Sequence, residues 1–263
     1  MLKKTAITLF VVFALFLVAK ILIDRLYLVP KYKDIASKAF ENGNLFHEKG
    51  DLDSSIVEFK KSVEFFRKAD GKNTQLQIIP LNNLGGVFTE KGDYESSIAI
   101  YLQLLQLFEI NNLVDSDMHA NIYNNLGGTY FNKKEYQKAG QNYLSAINIL
   151  EKSVSKPIDS TKIATTYNNL GEVFRLNGDY TTAIDFFEKA LYLDQNILGE
   201  THLTTAVDHN NLANAYLNNT DFENALFHYE KSYEILKLVV GEENPNTMVL
   251  KSNIVFVKQK LEQ

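Results

Sequence analysis

Residues 167–191 read Y-N-N-L-G-E-V-F-R-L-N-G-D-Y-T-T-A-I-D-F-F-E-K-A-L, and the spacing within them decides the fold. Tyr167, Leu170, Gly171 and Phe174 fall at helical intervals, and after the polar Asn177-Gly178-Asp179 so do Tyr180, Ala183, Phe187 and Ala190. Apolar residues recurring in this way mark amphipathic helices, and a Gly-Asp break between two such stripes marks a turn. Large residues alternate with Gly or Ala on the facing sides, so the two helices can close antiparallel at short range. One apolar flank of the hairpin is left uncovered.

The same pattern recurs along the chain. Leu84, Leu126, Leu170 and Leu212 occupy one position, 42, 44 and 42 residues apart, and Ile254 follows more loosely after another 42. The turn returns as Gly50-Asp51-Leu52, Gly92-Asp93-Tyr94, Lys134-Glu135-Tyr136 and Thr220-Asp221-Phe222. Beyond each turn comes a small residue (Ser55, Ser97, Ala139, Ala183, Ala225), then an aromatic (Phe59, Tyr101, Tyr143, Phe187, Tyr229). A repeat of this length implies a solenoid, because each hairpin needs a neighbour to cover its apolar flank.

These residues resemble the tetratricopeptide repeat, in which L-G-x-x-Y/F is followed by a small, an aromatic and another small residue. The period exceeds the ~34 residues usual for that family and is similar to the kinesin-light-chain subtype. Residues 190–202 (A-L-Y-L-D-Q-N-I-L-G-E-T-H) and 238–247 (L-V-V-G-E-E-N-P-N-T) look like that subtype's linker, and the resemblance runs over about residues 35–261. It implies an all-α, right-handed α-solenoid of about five helical hairpins, with the first helix of each lining a concave groove. First helices are expected at about 75–90, 117–132, 160–176 and 202–218, and second helices at 94–111, 136–153, 180–198 and 222–240. A more degenerate first repeat is expected over 33–69, and a capping helix over 246–261. Asp115-Ser116-Asp117 and Asp159-Ser160 read as helix N-caps, and Pro157 suits the longest linker.

Composition narrows the function. The chain has 263 residues, 27 basic and 32 acidic side chains and a net charge of -5, which offers no basic footprint for nucleic acid. With no Cys, disulfides, thiol catalysis and thiolate metal sites are excluded.

Ahead of the repeats, residues 5–19 carry no charge and 21–23 continue the run after Lys20. As a helix, residues 5–23 would measure about 28 Å, close to the ~30 Å hydrocarbon core. The expectation is a single-pass membrane anchor with a short connector over residues 1–30, followed by a repeat domain over 31–263. A cleaved signal peptide is the alternative, although Leu17-Val18-Ala19 lacks the small residue wanted three places before a cleavage site; a buried core helix is another. Lys3 and Lys4 before the run favour an extracytoplasmic, periplasmic repeat domain. Lys20, Arg25, Lys31 and Lys33 weaken the charge asymmetry and keep a cytoplasmic-facing domain as the alternative.

The candidate binding residues are the paired asparagines before each Leu: Asn82-Asn83, Asn124-Asn125, Asn168-Asn169 and Asn210-Asn211. The family geometry implies that Asn82, Asn124, Asn168 and Asn210 face the groove, where amides can hold an extended peptide backbone. The other reading is that they bond neighbouring helices to one another. Glu172, Arg175 and Asn214 complete the expected groove, while Gly86 and Gly128 leave room in it. Family members that clamp a terminal carboxylate use Lys and Arg where Asn stands here, which puts that activity in doubt. Gly85-Gly86 and Gly127-Gly128 lack the following Lys-Ser/Thr of a phosphate loop. The five histidines show no metal-ligand spacing, His202 and His209 being seven apart on one expected helix, and no nucleophile and base pair stands out. The reading is therefore a scaffold or adaptor without catalysis, cofactor or metal, holding a segment of another protein in its groove at the membrane. A sensory subunit binding a peptide or small ligand, and a self-associating structural subunit, are the rival readings.

Overall fold

The computed structural model describes residues 2–71, 75–111, 113, 116–152 and 160–263, and their side chains except at 2–11, 24, 116 and 160. In chain order the α-helices are α1 (Leu2–Ile23), α2 (Val29–Glu48), α3 (Leu52–Asp70), α4 (Ile78–Lys91), α5 (Tyr94–Ile110), α6 (Ser116–Asn132), α7 (Tyr136–Lys152), α8 (Ser160–Leu176), α9 (Tyr180–Leu198), α10 (Leu203–Asn218), α11 (Phe222–Val239) and α12 (Pro245–Leu261). They fall into two compact units, Met1–Val114 and Asp115–Gln263. In the first, α2 pairs with α3 and α4 with α5; in the second, α6 pairs with α7, α8 with α9 and α10 with α11, and α12 covers α11. The expected helices recur within a few residues, with a short 3₁₀ turn, Gln75–Gln77, opening the second hairpin. The caps expected at Asp115, Ser116, Asp159 and Ser160, and the linker proline Pro157, lie outside what is described.

Each hairpin turns in the same way. Gly178 adopts φ 83°, a left-handed conformation that costs a residue without a Cβ nothing, and Asp179 then accepts from the Thr182 N–H at 3.2 Å. Asp51, Asp93 and Asp221 cap α3, α5 and α11 identically. The third and fifth turns force Lys134 (φ 65°) and Thr220 (φ 60°) into the same region. There the Cβ costs roughly 1–2 kcal/mol that Gly avoids, so the surrounding hairpin has to hold the turn closed.

The helices of a hairpin close on a glycine. A Cβ on Gly43, Gly85, Gly127 or Gly171 would stand 2.7 Å from a ring carbon of Phe59, Tyr101, Tyr143 or Phe187 respectively. The aromatic of the second helix therefore lies flat against first-helix backbone, and it is almost wholly buried in every copy. In the first two hairpins the small residue of the second helix adds a bond: Ser55 and Ser97 donate to the carbonyls of Gly43 and Gly85 at 2.9 Å. In the fifth, Ala213 takes the glycine's place, buried against Tyr229.

The N-terminal region differs from expectation in two respects. The connector expected to close the 1–30 segment is instead helical: Asp24–Leu28 forms a π-helical stretch that runs directly into α2. Pro30 explains the wide turn, since its ring would clash with the carbonyl four residues back in an ordinary α-helix and it has no N–H to donate. The expected transmembrane helix is not found either: among the described residues, no helix is long and apolar enough to cross a membrane.

Candidate functional site

In the second unit the first helices lie side by side, α8 touching both α6 and α10. Thr165, Asn168, Glu172 and Arg175 share one face of α8 because they are three, four or seven residues apart. Forty-two residues on, Val207, Asn210, Asn214 and Leu217 repeat that face on α10.

The asparagine ladder bonds helix to helix. Asn169 and Thr166 of α8 donate to the Asn124 Oδ1 of α6 at 3.3 and 3.4 Å, and Asn211 of α10 donates to the Asn168 Oδ1 of α8 at 3.3 Å. Asn168 in turn donates to Asp208 Oδ1. Within the first unit, Asn83 donates to Asn44 at 3.0 Å and Asn82 is engaged as well. A peptide backbone would have to compete for amides already committed between repeats. Asn210 stands apart, with no hydrogen bond to its side chain among the described residues.

The other expected groove residues meet one another. The Arg175 guanidinium grips Glu172 through two bonds of 2.7 Å, which together with that charge hold its pKa above the ordinary value. Asn214 Oδ1 accepts from the Tyr229 hydroxyl at 2.6 Å, fixing its amide against α11. Asn124, Asn168, Asn210, Glu172, Arg175 and Asn214 thus share the first-helix layer of one unit, while Asn82 belongs to the other.

Two clusters escaped the sequence reading. Asp194 of α9 and Asp208 of α10 are 3% and 0% exposed and face each other. Burial first, and then the Asp194 charge, push the Asp208 carboxyl up to about 7 against the pull of Asn168; burial also raises Asp194, against the bond to Asp208 and the nearby His202. Asp208 Oδ2 has no hydrogen-bond partner, which leaves the charged carboxylate unsupported there and favours the protonated form. The repeat register carried the signal. The place of Asp194 is held by Phe66, Phe108, Leu150 and Leu236 in the other hairpins, and that of Asp208 by Pro80, Ile122, Thr166 and Leu250.

The second cluster is a histidine pair. His209 of α10 and His228 of α11 approach Nδ1 to Nδ1 at 2.9 Å, one donating and the other accepting. Tyr216 stacks on His228 at 5.5 Å, with its hydroxyl donating to Glu188, and Phe227 meets the same imidazole edge-on. Burial depresses both imidazoles to about 4, helped by Lys231 at His209 and by His209 at His228. His202, by contrast, is not in the helix with His209: it caps α10, its Nδ1 accepting from the Thr204 N–H at 3.1 Å. Among the described residues no three His, Asp or Glu side chains are placed to hold a metal.

The histidines set an acid limit. Their folded pKa lies below the unfolded value near 6.5, so their contribution is complete above about pH 6.5 and is lost as the pH falls through 4. Each contributes a slope of up to about 1.4 kcal/mol per pH unit in that window. Thermal melts between pH 7 and 4 are expected to show the loss, and His228→Phe to flatten it. An unchanged acid slope in that variant would place the acid sensitivity elsewhere.

Models of the tetratricopeptide repeat match residues 34–110, 120–152 and 162–238 of the chain. No curated protein sequence matches it. Among solved structures, BtubC (BKLC) of P. vanneervenii is similar over 79% of this chain and 83% of its own, with a TM-score of 0.68 and 22% identity. The nearly identical TPR-like repeats of a Podosopora anserina kinesin-light-chain-type protein align over 76% of this chain and 94% of their own, at a TM-score of 0.65 and 14% identity. A MamA fragment of Desulfovibrio magneticus aligns over 81% and 97%, at 0.57 and 16%. At such identities the likeness is one of fold.

Proposed function

Because the chain belongs to the tetratricopeptide-repeat family, we propose that it is a non-catalytic scaffold that binds a segment of another protein along the first-helix layer of its repeats. One observation carries this reading. Thr165 of α8, Val207 of α10 and Val249 of α12 occupy one position of the repeat and are all exposed, the two valines at 53% and 59%. Buried positions around them are committed to packing, so this row of solvent-facing side chains on successive helices is a surface for an extended or helical segment. Groups beside the row, the Glu172–Arg175 pair among them, contribute to specificity more than the asparagines, whose amides mostly join the repeats.

Attachment to a membrane is part of the proposal and rests on sequence, namely the charge-free run 5–19 and its continuation to 23. Lys3 and Lys4 before that run support an extracytoplasmic position for the repeats.

A photo-reactive side chain placed at Thr165 or Val249 of the full chain is expected to cross-link a second protein in cells, and one at Tyr192 of α9 is not. Adducts from Tyr192 alone would refute the inner-layer reading. The same chains should stay with the membrane pellet after alkaline carbonate extraction, and deleting residues 2–23 should release them. Release of the undeleted chain would remove the membrane from the proposal.

A further inference from the structure

Where α10 and α12 part over the end of α11, they leave a cleft of about 440 Å³. It is the site at which the fifth repeat departs from the fourth. Asp194 and Asp208 fill the corresponding place one repeat earlier and Asn168 donates to Asp208; here Leu236, Leu250 and Asn210 stand in register. Leu250 offers the Asn210 amide no acceptor. Asn253, at the position from which Asn169 and Asn211 donate to their neighbours, forms no such bond to Asn210.

The result is a cavity with apolar walls and unspent amides. Leu203, Val207, Val249 and Leu250 form the walls, Asn210 and Asn246 supply donors and acceptors, and none of the lining residues is charged. A pocket of this size, mostly apolar with a few placed polar groups, has the ordinary composition of a binding site. Its lack of a cation or anion selects the occupant. A carboxylate, phosphate or ammonium buried here would lose its hydration with no counter-charge, whereas a peptide offers an uncharged side chain to the walls and its backbone to the amides.

Building on the proposed binding of a protein segment, we infer that this cleft is a subsite for one bulky, uncharged apolar side chain of that segment. The Asn210 and Asn246 amides hold the adjoining peptide backbone. The sequence preference of the scaffold is therefore set at its C-terminal end, by apolar shape, while Glu172 and Arg175 meet a different part of the same segment.

The test is selection of random dodecapeptides displayed on phage against the full chain, followed by titration of a synthetic winner. Enriched peptides are expected to share one Leu, Ile, Met, Phe or Trp. Changing that residue to Asp, or making Val207→Asp or Val249→Asp in the protein, should each weaken binding at least tenfold. Both valines are exposed, so the variants keep their fold, which circular dichroism would verify. A consensus built on charged residues, or no enrichment, overturns the inference. Peptides that bind but respond only to Thr165→Asp or Glu172→Gln leave the inner-layer reading standing and sink this subsite alone. Self-association of the chain that Val249→Asp abolishes would give the cleft to a second copy and overturn the inference as well.

Discussion

Phe187→Ala is expected to destabilise the second unit by about 3–5 kcal/mol, the cost of deleting a fully buried ring whose surroundings relax only partly. Phe187 is 0% exposed and packs with Ala183, Ile184, Leu191, Leu212 and Ala215, with Phe174 and Tyr216 beside them. Leu212 and Ala215 belong to the next hairpin, so removing the ring loosens both the α8–α9 hairpin and its junction with α10. In a repeat array, stability is a sum of hairpin and junction contributions, and one substitution here weakens two of them. Gly171 makes the void harder to fill, because its backbone was shaped to the ring face and has no side chain to lean in. Thermal denaturation should show a fall of roughly 10 °C. Tyr192→Ala, at a 68% exposed position of the same helix, should stay within about 0.5 kcal/mol of the parent. Equal effects from the two would contradict the packing described.

The second large effect is a gain. Asp194→Leu/Asp208→Leu should stabilise the unit by about 1–4 kcal/mol above neutral pH, the range seen when buried charged groups give way to apolar residues of similar volume. The fold already tolerates this arrangement one repeat later, at Leu236 and Leu250. The sign of the pH dependence follows from the raised folded pKa. The folded carboxyl pair keeps a proton that the unfolded chain releases above about pH 4, so its contribution is present below that value and is lost as the pH rises to about 7. The histidine pair slopes the opposite way between pH 4 and 6.5. The parent protein should therefore be most stable a little below neutrality and lose stability above it, and the double Leu variant should lose the alkaline side of that dome. Chemical denaturation at pH 6 and pH 8 measures both. A double variant less stable than the parent at pH 8 would mean that the hydrogen bond from Asn168 to Asp208 outweighs the cost of burying the carboxyls.

The hairpins were legible in sequence because each is written by a strict local rule. Gly171 and Phe187 predict each other through the turn between them, and the register of Leu84, Leu126, Leu170 and Leu212 fixes which flank is buried. The groove was legible only in part. Glu172, Arg175 and Asn214 stand where the helical face puts them. What an Asn on that face bonds to depends on the residue opposite it on the next helix: Thr166 against Asn124, Asp208 against Asn168, Leu250 against Asn210. A pattern within one hairpin does not contain that partner. His209 and His228, 19 residues apart on different helices, were hidden for the same reason. The helical run through Pro30 depends on a local π-helical adjustment that no propensity scale encodes.

Carbene footprinting of the full chain, alone and with the protein it cross-links, tests the central claim most directly. Labelling should fall at Thr165, Val207 and Val249 on the first helices and remain unchanged at Tyr192 of α9 and Leu238 of α11, both well exposed. Loss of labelling at Tyr192 and Leu238, with the first-helix row unaffected, would show that the partner docks on the second helices and would contradict the account.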